Sequence, residues 1–98
     1  MNRLERTDSP EHRLAKMGIK LPGTAPSPIG AFCNVRQSGS LVFVSGQGPV
    51  EEDGTLHSGK VGGDVSIETA QGHARLVAIN ILATLRDHLG DLSQVTGV

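Results

Sequence analysis

The sequence predicts an α+β fold in which a β-hairpin sheet is covered by one long helix. Two observations carry this. Apolar side chains alternate and then run together on either side of a glycine turn within residues 31–45, the pattern of a hairpin. Over residues 66–89 they recur at intervals of three and four, the pattern of one buried helical face. A third feature points to function. The stretch Gly39 to Pro49 reads Gly-Ser-Leu-Val-Phe-Val-Ser-Gly-Gln-Gly-Pro, so strand-favouring positions stop abruptly at small and polar ones. Gly46 and Gly48 have no Cβ to obstruct another molecule, and Ser45 and Gln47 offer polar groups where a structural strand would hold apolar ones. Such a strand end is expected to form the wall of a pocket. The simpler alternative is a buried strand followed by a glycine turn.

Taken in order, the elements begin with a short helix. Ser9 caps it, Pro10 suits its first turn, and Gly18 stands where a left-handed C-cap ends it. Leu14 and Met17 give it a small apolar face, suited to docking on a partner surface. Pro22-Gly23-Thr24-Ala25-Pro26-Ser27-Pro28 is an extended linker, because proline removes donors and disfavours helix. Residues 1–28 therefore read as a short helix with a Pro-rich extension, and 29–98 as the organised, partial domain.

Two strands are expected at Ala31–Gln37 and Leu41–Ser45, around a turn at Ser38-Gly39-Ser40. In the first, Ala31, Cys33 and Val35 alternate with Phe32, Asn34 and Arg36. Leu41, Val42, Phe43 and Val44 are apolar in succession, which predicts a second strand covered on both faces. Glu51 to Gly63, rich in acidic residues and glycine, reads as a long loop or a frayed second hairpin with Leu56 and Val61 as strand remnants. The long helix runs from its cap Ser66 to Leu89, with Ile67, Ala70, Ala74, Val77, Ala78, Ile81, Leu82, Leu85 and Leu89 on its buried face. Glu68 favours its N-terminus, and Arg86, His88 and Gly90 form a stop signal. Ala70, Ala74 and Ala78 predict close packing on a sheet. Asp91 to Val95 leads toward a further strand, so Val98 reads as a truncation within an element.

Composition narrows the function classes. A chain of 98 residues makes one domain or part of one, with a core of Val, Ile, Leu and Ala. The formal charge of −1 provides no basic footprint, and two Phe without Trp or Tyr provide no stacking platform, so nucleic acid is not an expected partner. Cys33 is alone, which rules out a disulfide framework or a cysteine metal knuckle and predicts a small core residue. The polar N-terminus has no apolar segment behind it and no run matches a membrane span, so a soluble cytoplasmic protein is expected.

Several motifs fail on inspection. Gly54 to Lys60 has the first seven positions of a phosphate-cradling loop, but Val61 replaces the metal-reaching Ser or Thr and Glu51, Glu52 and Asp53 precede it. Gly46-Gln47-Gly48 begins a dinucleotide fingerprint that Glu51 breaks. Phe43 stands where a nucleophile elbow needs glycine, so Ser45 reads as a hydrogen-bonding residue and not a nucleophile. His12, His57, His73 and His88 show no metal-ligand spacing and read as surface or helix-face residues. Arg75 and Asn80 flank the apolar helix stripe, where solvated helix edges carry such residues routinely.

Leu41-Val42-Phe43-Val44-Ser45-Gly46-Gln47 resembles the strand-and-turn signature of the Rid family, also called YjgF/YER057c/UK114. Ile29-Gly30-Ala31-Phe32 resembles that family's Ile-Gly-Pro-Tyr opening. Asp64-Val65, Ala74-Arg75, Asn80 and Leu89-Gly90-Asp91-Leu92-Ser93-Gln94-Val95 match its order and spacing, and the extension from Arg13 to Ile19 resembles a longer Rid-like subgroup. The resemblance implies the N-terminal part of a domain like the Bacillus type of chorismate mutase. It further implies a homotrimer with sites between subunits, and hydrolysis of reactive enamines and imines to 2-oxo acids and ammonia without metal or organic cofactor. By this resemblance Phe32, Ser45 and Gly46 are substrate-binding candidates. Phe32 stands where the family often has tyrosine, and Ala31 replaces the usual proline. The family's charge-pairing arginine and its acidic residue belong to a second half that would follow Val95. Arg36 and Arg75 do not match that arginine. The chain is therefore expected to be an inactive part of a deaminase. The alternative is a non-catalytic module that binds small carboxylates or keto acids, and an endoribonuclease or translation inhibitor is a third reading that the charge balance opposes.

Overall fold

The computed structural model describes residues 9–30 and 33–98. Along these, α1 (Pro10–Lys16) is followed by β1 (Val35–Ser38), β2 (Leu41–Val44), α2 (Ile67–Leu89) and a 3₁₀ turn over Leu92–Gln94. The α+β class is as expected: one antiparallel pair of strands and one long helix. Ala31, the expected start of the first strand, and Phe32, the expected aromatic wall, lie outside the described residues, as does the polar segment 1–8.

The hairpin pairs Val35 with Val44, Arg36 with Phe43, Gln37 with Val42 and Ser38 with Leu41. That register leaves Gly39 and Ser40 as the loop, and Gly39 takes a φ of +59°. Positive φ at the first loop position alone suits a II′ turn, whose twist matches that of the flanking strands. The first strand is shorter than expected. Asn34 turns its side chain to the Pro-rich segment, donating from Nδ2 to Pro26 O at 2.7 Å. Cys33 precedes the strand and is exposed, not a core residue. The expectation that β2 is covered on both faces also fails. Leu41 and Phe43 are 62% and 61% exposed, while Val42 and Val44 are half-buried. Side chains alternate along a strand, and α2 meets the hairpin from one side only.

The long helix starts and stops as its sequence predicts. Ser66 adopts extended geometry and accepts from Thr69 N, and Gly90 closes the end with its N–H on Arg86 O. Its burial, however, follows a different stripe. Asn80, Ala83 and Thr84 are the buried residues of α2, whereas Ile67, Ala74 and Ala78 are exposed and Ile81, Leu82, Leu85 and Leu89 only half-buried. The hairpin is too small to cover the apolar stripe. Chain from outside the sheet instead covers the flank on which Asn80, Ala83, Thr84 and Asp87 follow at steps of three and four.

Two segments accomplish this. The Gly48–Val50 backbone receives Asn80, and the Pro-rich segment is held at the helix end by Arg86, whose Nη2 donates to Pro22 O at 2.6 Å and Gly23 O at 3.3 Å. Asp87 Oδ2 accepts from Ala25 N at 2.7 Å. Partial desolvation is the largest influence on the Asp87 carboxyl and raises its pKa, but the Ala25 N–H and the Arg86 guanidinium together bring it below the usual aspartate value. In α1, Ser9 caps His12 N as expected. Glu11 Oε1 reaches across to accept from Leu92 N at 2.5 Å. The further strand expected from Asp91 is replaced by the 3₁₀ turn, because Asp91 Oδ1 accepts from Ser93 N at 2.8 Å and closes the backbone locally. Residues 51–65 form a long loop, with an isolated antiparallel bridge between Val50 and Leu56 and a parallel one between Val61 and Val65. Among the described residues no helix is long and apolar enough to cross a membrane.

Candidate functional site

Beyond the last rung of the hairpin the chain opens into a shallow hollow of about 470 Å³ lined by Ile29, Ser45, Gly46, Gln47 and Gly48. Its first wall is tightly tethered. Ser45 N donates to Asn34 O at 2.9 Å, and Ser45 Oγ donates to Cys33 O at 2.5 Å. The hydroxyl proton is thus engaged on the backbone, which leaves Ser45 an acceptor toward any ligand and supports the reading that it is no nucleophile. Gln47 Nε2 contacts Ser45 O at 3.2 Å and Asn34 Oδ1 at 3.4 Å, and so braces the turn from within.

Gly46 differs from its neighbours. A Cβ built there meets nothing within 4 Å, whereas one on Gly48 would lie 3.1 Å from Leu56 Cδ1 and 3.4 Å from Ile29 Cδ1. A Cβ on Gly48 would therefore press on the ends of the Leu56 and Ile29 side chains, whereas Gly46 borders open space. The backbone N–H groups of Gly46 and Gln47 have no hydrogen-bond partner among the described residues. The Gly46 backbone beside a hollow lets a ligand oxygen approach closely, since no Cβ stands in its way.

The Gly48 end of the hollow is held by Asn80, which is 1% exposed. Its Nδ2 donates to Val50 O at 3.0 Å and Gly48 O at 3.2 Å. This corrects the solvated-edge reading of Asn80: it is the cross-brace that sets where the strand end turns. The available signal was its place three and four residues before Ala83 and Thr84. Arg75 and Arg36, by contrast, are exposed and do not line the hollow.

A second constellation was not legible as a pair. His57 and His73, one on the loop and one on α2, stack at 4.5 Å between ring centroids and 14° between planes. Glu51 Oε1 lies 3.0 Å from His57 Nε2. Together with Thr69, Arg75 and Leu76 they border an open depression. Among the described residues no group of His, Cys, Asp and Glu is arranged to hold a metal ion.

No family model matches the chain. Protein TCP17 of Trypanosoma cruzi is 33% identical over 85 residues, which are 87% of this chain and 52% of that protein. A candidate endoribonuclease from Shewanella oneidensis MR-1 superposes with a TM-score of 0.82 at 30% identity, over 93% of this chain and 60% of the other. An Agrobacterium tumefaciens protein of unknown function superposes with a TM-score of 0.69 at 40% identity, over 89% of this chain and 51% of the other. The chain thus spans about half the length of the curated relative it matches. The Shewanella superposition is consistent with a chorismate mutase-like fold.

Proposed function

We propose that this chain is part of a Rid-like (YjgF/YER057c/UK114) protein, and that the hollow at Ser45 and Gly46 is one wall of a pocket for small imines, enamines and the 2-oxo acids they hydrolyse to. The observation that carries this is the open Cβ position of Gly46 beside Ser45, where the Gly46 N–H has no partner among the described residues. A backbone donor at Gly46 binds a carboxylate or carbonyl oxygen, and Ser45 Oγ accepts from a ligand N–H while its own proton stays on Cys33 O. In the hydrolysis, water adds to the imine carbon and the resulting carbinolamine expels ammonia to leave the 2-oxo acid. This wall would hold the oxygen end of the substrate. The reading has a second copy of the chain bordering the open side, as in the oligomer that the resemblance implies.

Thermal denaturation with and without 2-oxobutyrate tests the pocket: a concentration-dependent stabilisation that Ser45→Leu abolishes is expected. An unchanged transition at saturating keto acid overturns it. Turnover is tested separately with enamine generated by a threonine dehydratase. None of the present residues matches the family's charge-pairing arginine, so this chain alone is expected to bind without accelerating 2-oxobutyrate release. RNA cleavage, suggested by the description of the Shewanella neighbour, has less support, because the net charge of −1 and two aromatic residues provide neither phosphate attraction nor stacking.

A further inference from the structure

Asn34, half-buried at the foot of β1, ties the Pro-rich segment to the polar wall of the Ser45 hollow. Its Nδ2 donates to Pro26 O at 2.7 Å. Its Oδ1 accepts from Gln47 Nε2 at 3.4 Å, and its backbone O accepts from Ser45 N at 2.9 Å. Both Ser45 and Gln47 line the hollow. The orientation of the carboxamide follows from its partners. A proline carbonyl can only accept, so it takes the nitrogen side, which turns the oxygen to the Gln47 donor.

The Pro26 bond gains its meaning from Ile29, three residues further on. Ile29 supplies the large apolar side chain of the hollow, whose other lining residues are Ser45, Gly46, Gln47 and Gly48. It is 58% exposed, and its Cδ1 lies 3.4 Å from where a Cβ on Gly48 would stand. An apolar group of this size is thus presented at the hollow with much of its surface uncovered. The Pro-rich segment is also anchored at the end of α2, where Arg86 and Asp87 hold Pro22, Gly23 and Ala25. Among the described residues, Pro26 is the anchor of that segment nearest to Ile29. Pro26 and Pro28 have a locked φ, which limits the play between the anchor and Ile29.

We infer that Asn34 is a positioning residue for the keto-acid pocket: it sets the gap between Ile29 and the Ser45–Gln47 wall, and with it the length of 2-oxo acid that the pocket prefers. The inference rests on the pocket reading given above and names its specificity element. With the oxygen end of the ligand at Gly46, Ile29 meets the aliphatic side chain of the acid. One further methylene buried against it is worth roughly fourfold in affinity, so 2-oxobutyrate is favoured over pyruvate by about that factor. Asn34 itself touches no ligand. It acts through Pro26 on one side and Gln47 on the other.

Asn34→Asp keeps the size of the side chain and an acceptor for Gln47, but sets a carboxylate oxygen against Pro26 O. Asn34→Ala removes both side-chain bonds without adding charge, and serves if the carboxylate prevents folding. In ligand-free protein, the nuclear Overhauser contact between the Ile29 δ1 methyl and the Gly48 α protons is expected in the unaltered chain and lost in both variants. Contacts across the Val50–Leu56 bridge should persist and show that the fold is kept. Calorimetric titration with pyruvate and 2-oxobutyrate should show the roughly fourfold preference fall to near unity in each variant, with pyruvate affinity little changed. Ile29→Ala, which leaves the Pro26 bond in place, should remove the preference as well. A merely structural loss would weaken both acids alike. That result, an unchanged preference, or a retained Ile29–Gly48 contact in the folded variants would overturn the inference. Should neither acid bind the unaltered chain, the pocket reading falls and the preference with it, while the ligand-free contact decides by itself whether Asn34 places Ile29.

Discussion

Asn80 Nδ2 lies 3.0 Å from Val50 O, joining the middle of α2 to a backbone thirty residues earlier in the chain. The same nitrogen reaches Gly48 O at 3.2 Å, so one buried carboxamide sets the path of the strand end that carries Ser45 and Gly46. It is the largest fully enclosed side chain of α2.

Replacing Asn80 with Ala should therefore destabilise the chain markedly. It leaves the Gly48 and Val50 carbonyls without this donor, at about 1–3 kcal/mol for each buried group left unsatisfied. Urea denaturation checks this, and a midpoint close to that of the unaltered chain would contradict the cross-brace.

Gly46 and Gly59 should respond oppositely to alanine. Gly59 has a φ of +143° and an added Cβ would stand 2.5 Å from Val65 Cγ2 and 3.1 Å from both Asp64 carboxylate oxygens, so Gly59→Ala should cost about 1–3 kcal/mol. Gly46→Ala meets nothing within 4 Å and should change stability by less than about 0.5 kcal/mol. It should nonetheless weaken keto-acid binding, because the methyl group enters the open side of the hollow. Comparable destabilisation by the two substitutions would refute this.

The Pro-rich segment should detach in acid before the rest of the chain unfolds. Asp87 has a lowered pKa in the folded state, so its contribution is fully present above the unfolded value of about 4 and is lost as the pH falls through the lower folded value. The Ala25 amide, bound to Asp87 Oδ2, is the reporter. Its resonance should shift and its exchange quicken below about pH 4, and Asp87→Asn should flatten that response. An Ala25 amide indifferent to pH in this range would exclude the mechanism.

Phe43→Ser should leave stability within about 0.5 kcal/mol, because the ring is 61% exposed, yet it should reduce self-association at high concentration. Among the described residues neither outer strand edge has a further strand beside it, and Phe43 with Leu41 adds an apolar face there. Sedimentation velocity across a concentration series distinguishes the two proteins. Identical profiles would show that this face takes no part in association.

Much of the local structure was readable from the chain. Ser66, Gly90 and the spacing between them define α2, Ser9 and Gly18 bracket α1, and Gly39 places the hairpin turn. The choice of Ser45, Gly46 and Gln47 as a polar strand end was also readable, since small residues after an apolar run leave backbone exposed. Which side of α2 would be buried was not. Periodicity favoured Ile81, Leu85 and Leu89, and the structure encloses Asn80, Ala83 and Thr84 instead. The Cys33 and β2 expectations failed for the same reason: they assumed more cover than one helix provides.

The sequence by itself determined the elements, their caps and their turn, because these depend on bonds between residues three or four apart. Only the tertiary structure decided which faces are covered, that Asn80 is a brace, and that His57 stacks on His73. Those outcomes depend on how the Pro-rich segment and the loop after Val50 fold back on α2, and contacts across thirty to sixty residues leave no periodic trace in the sequence.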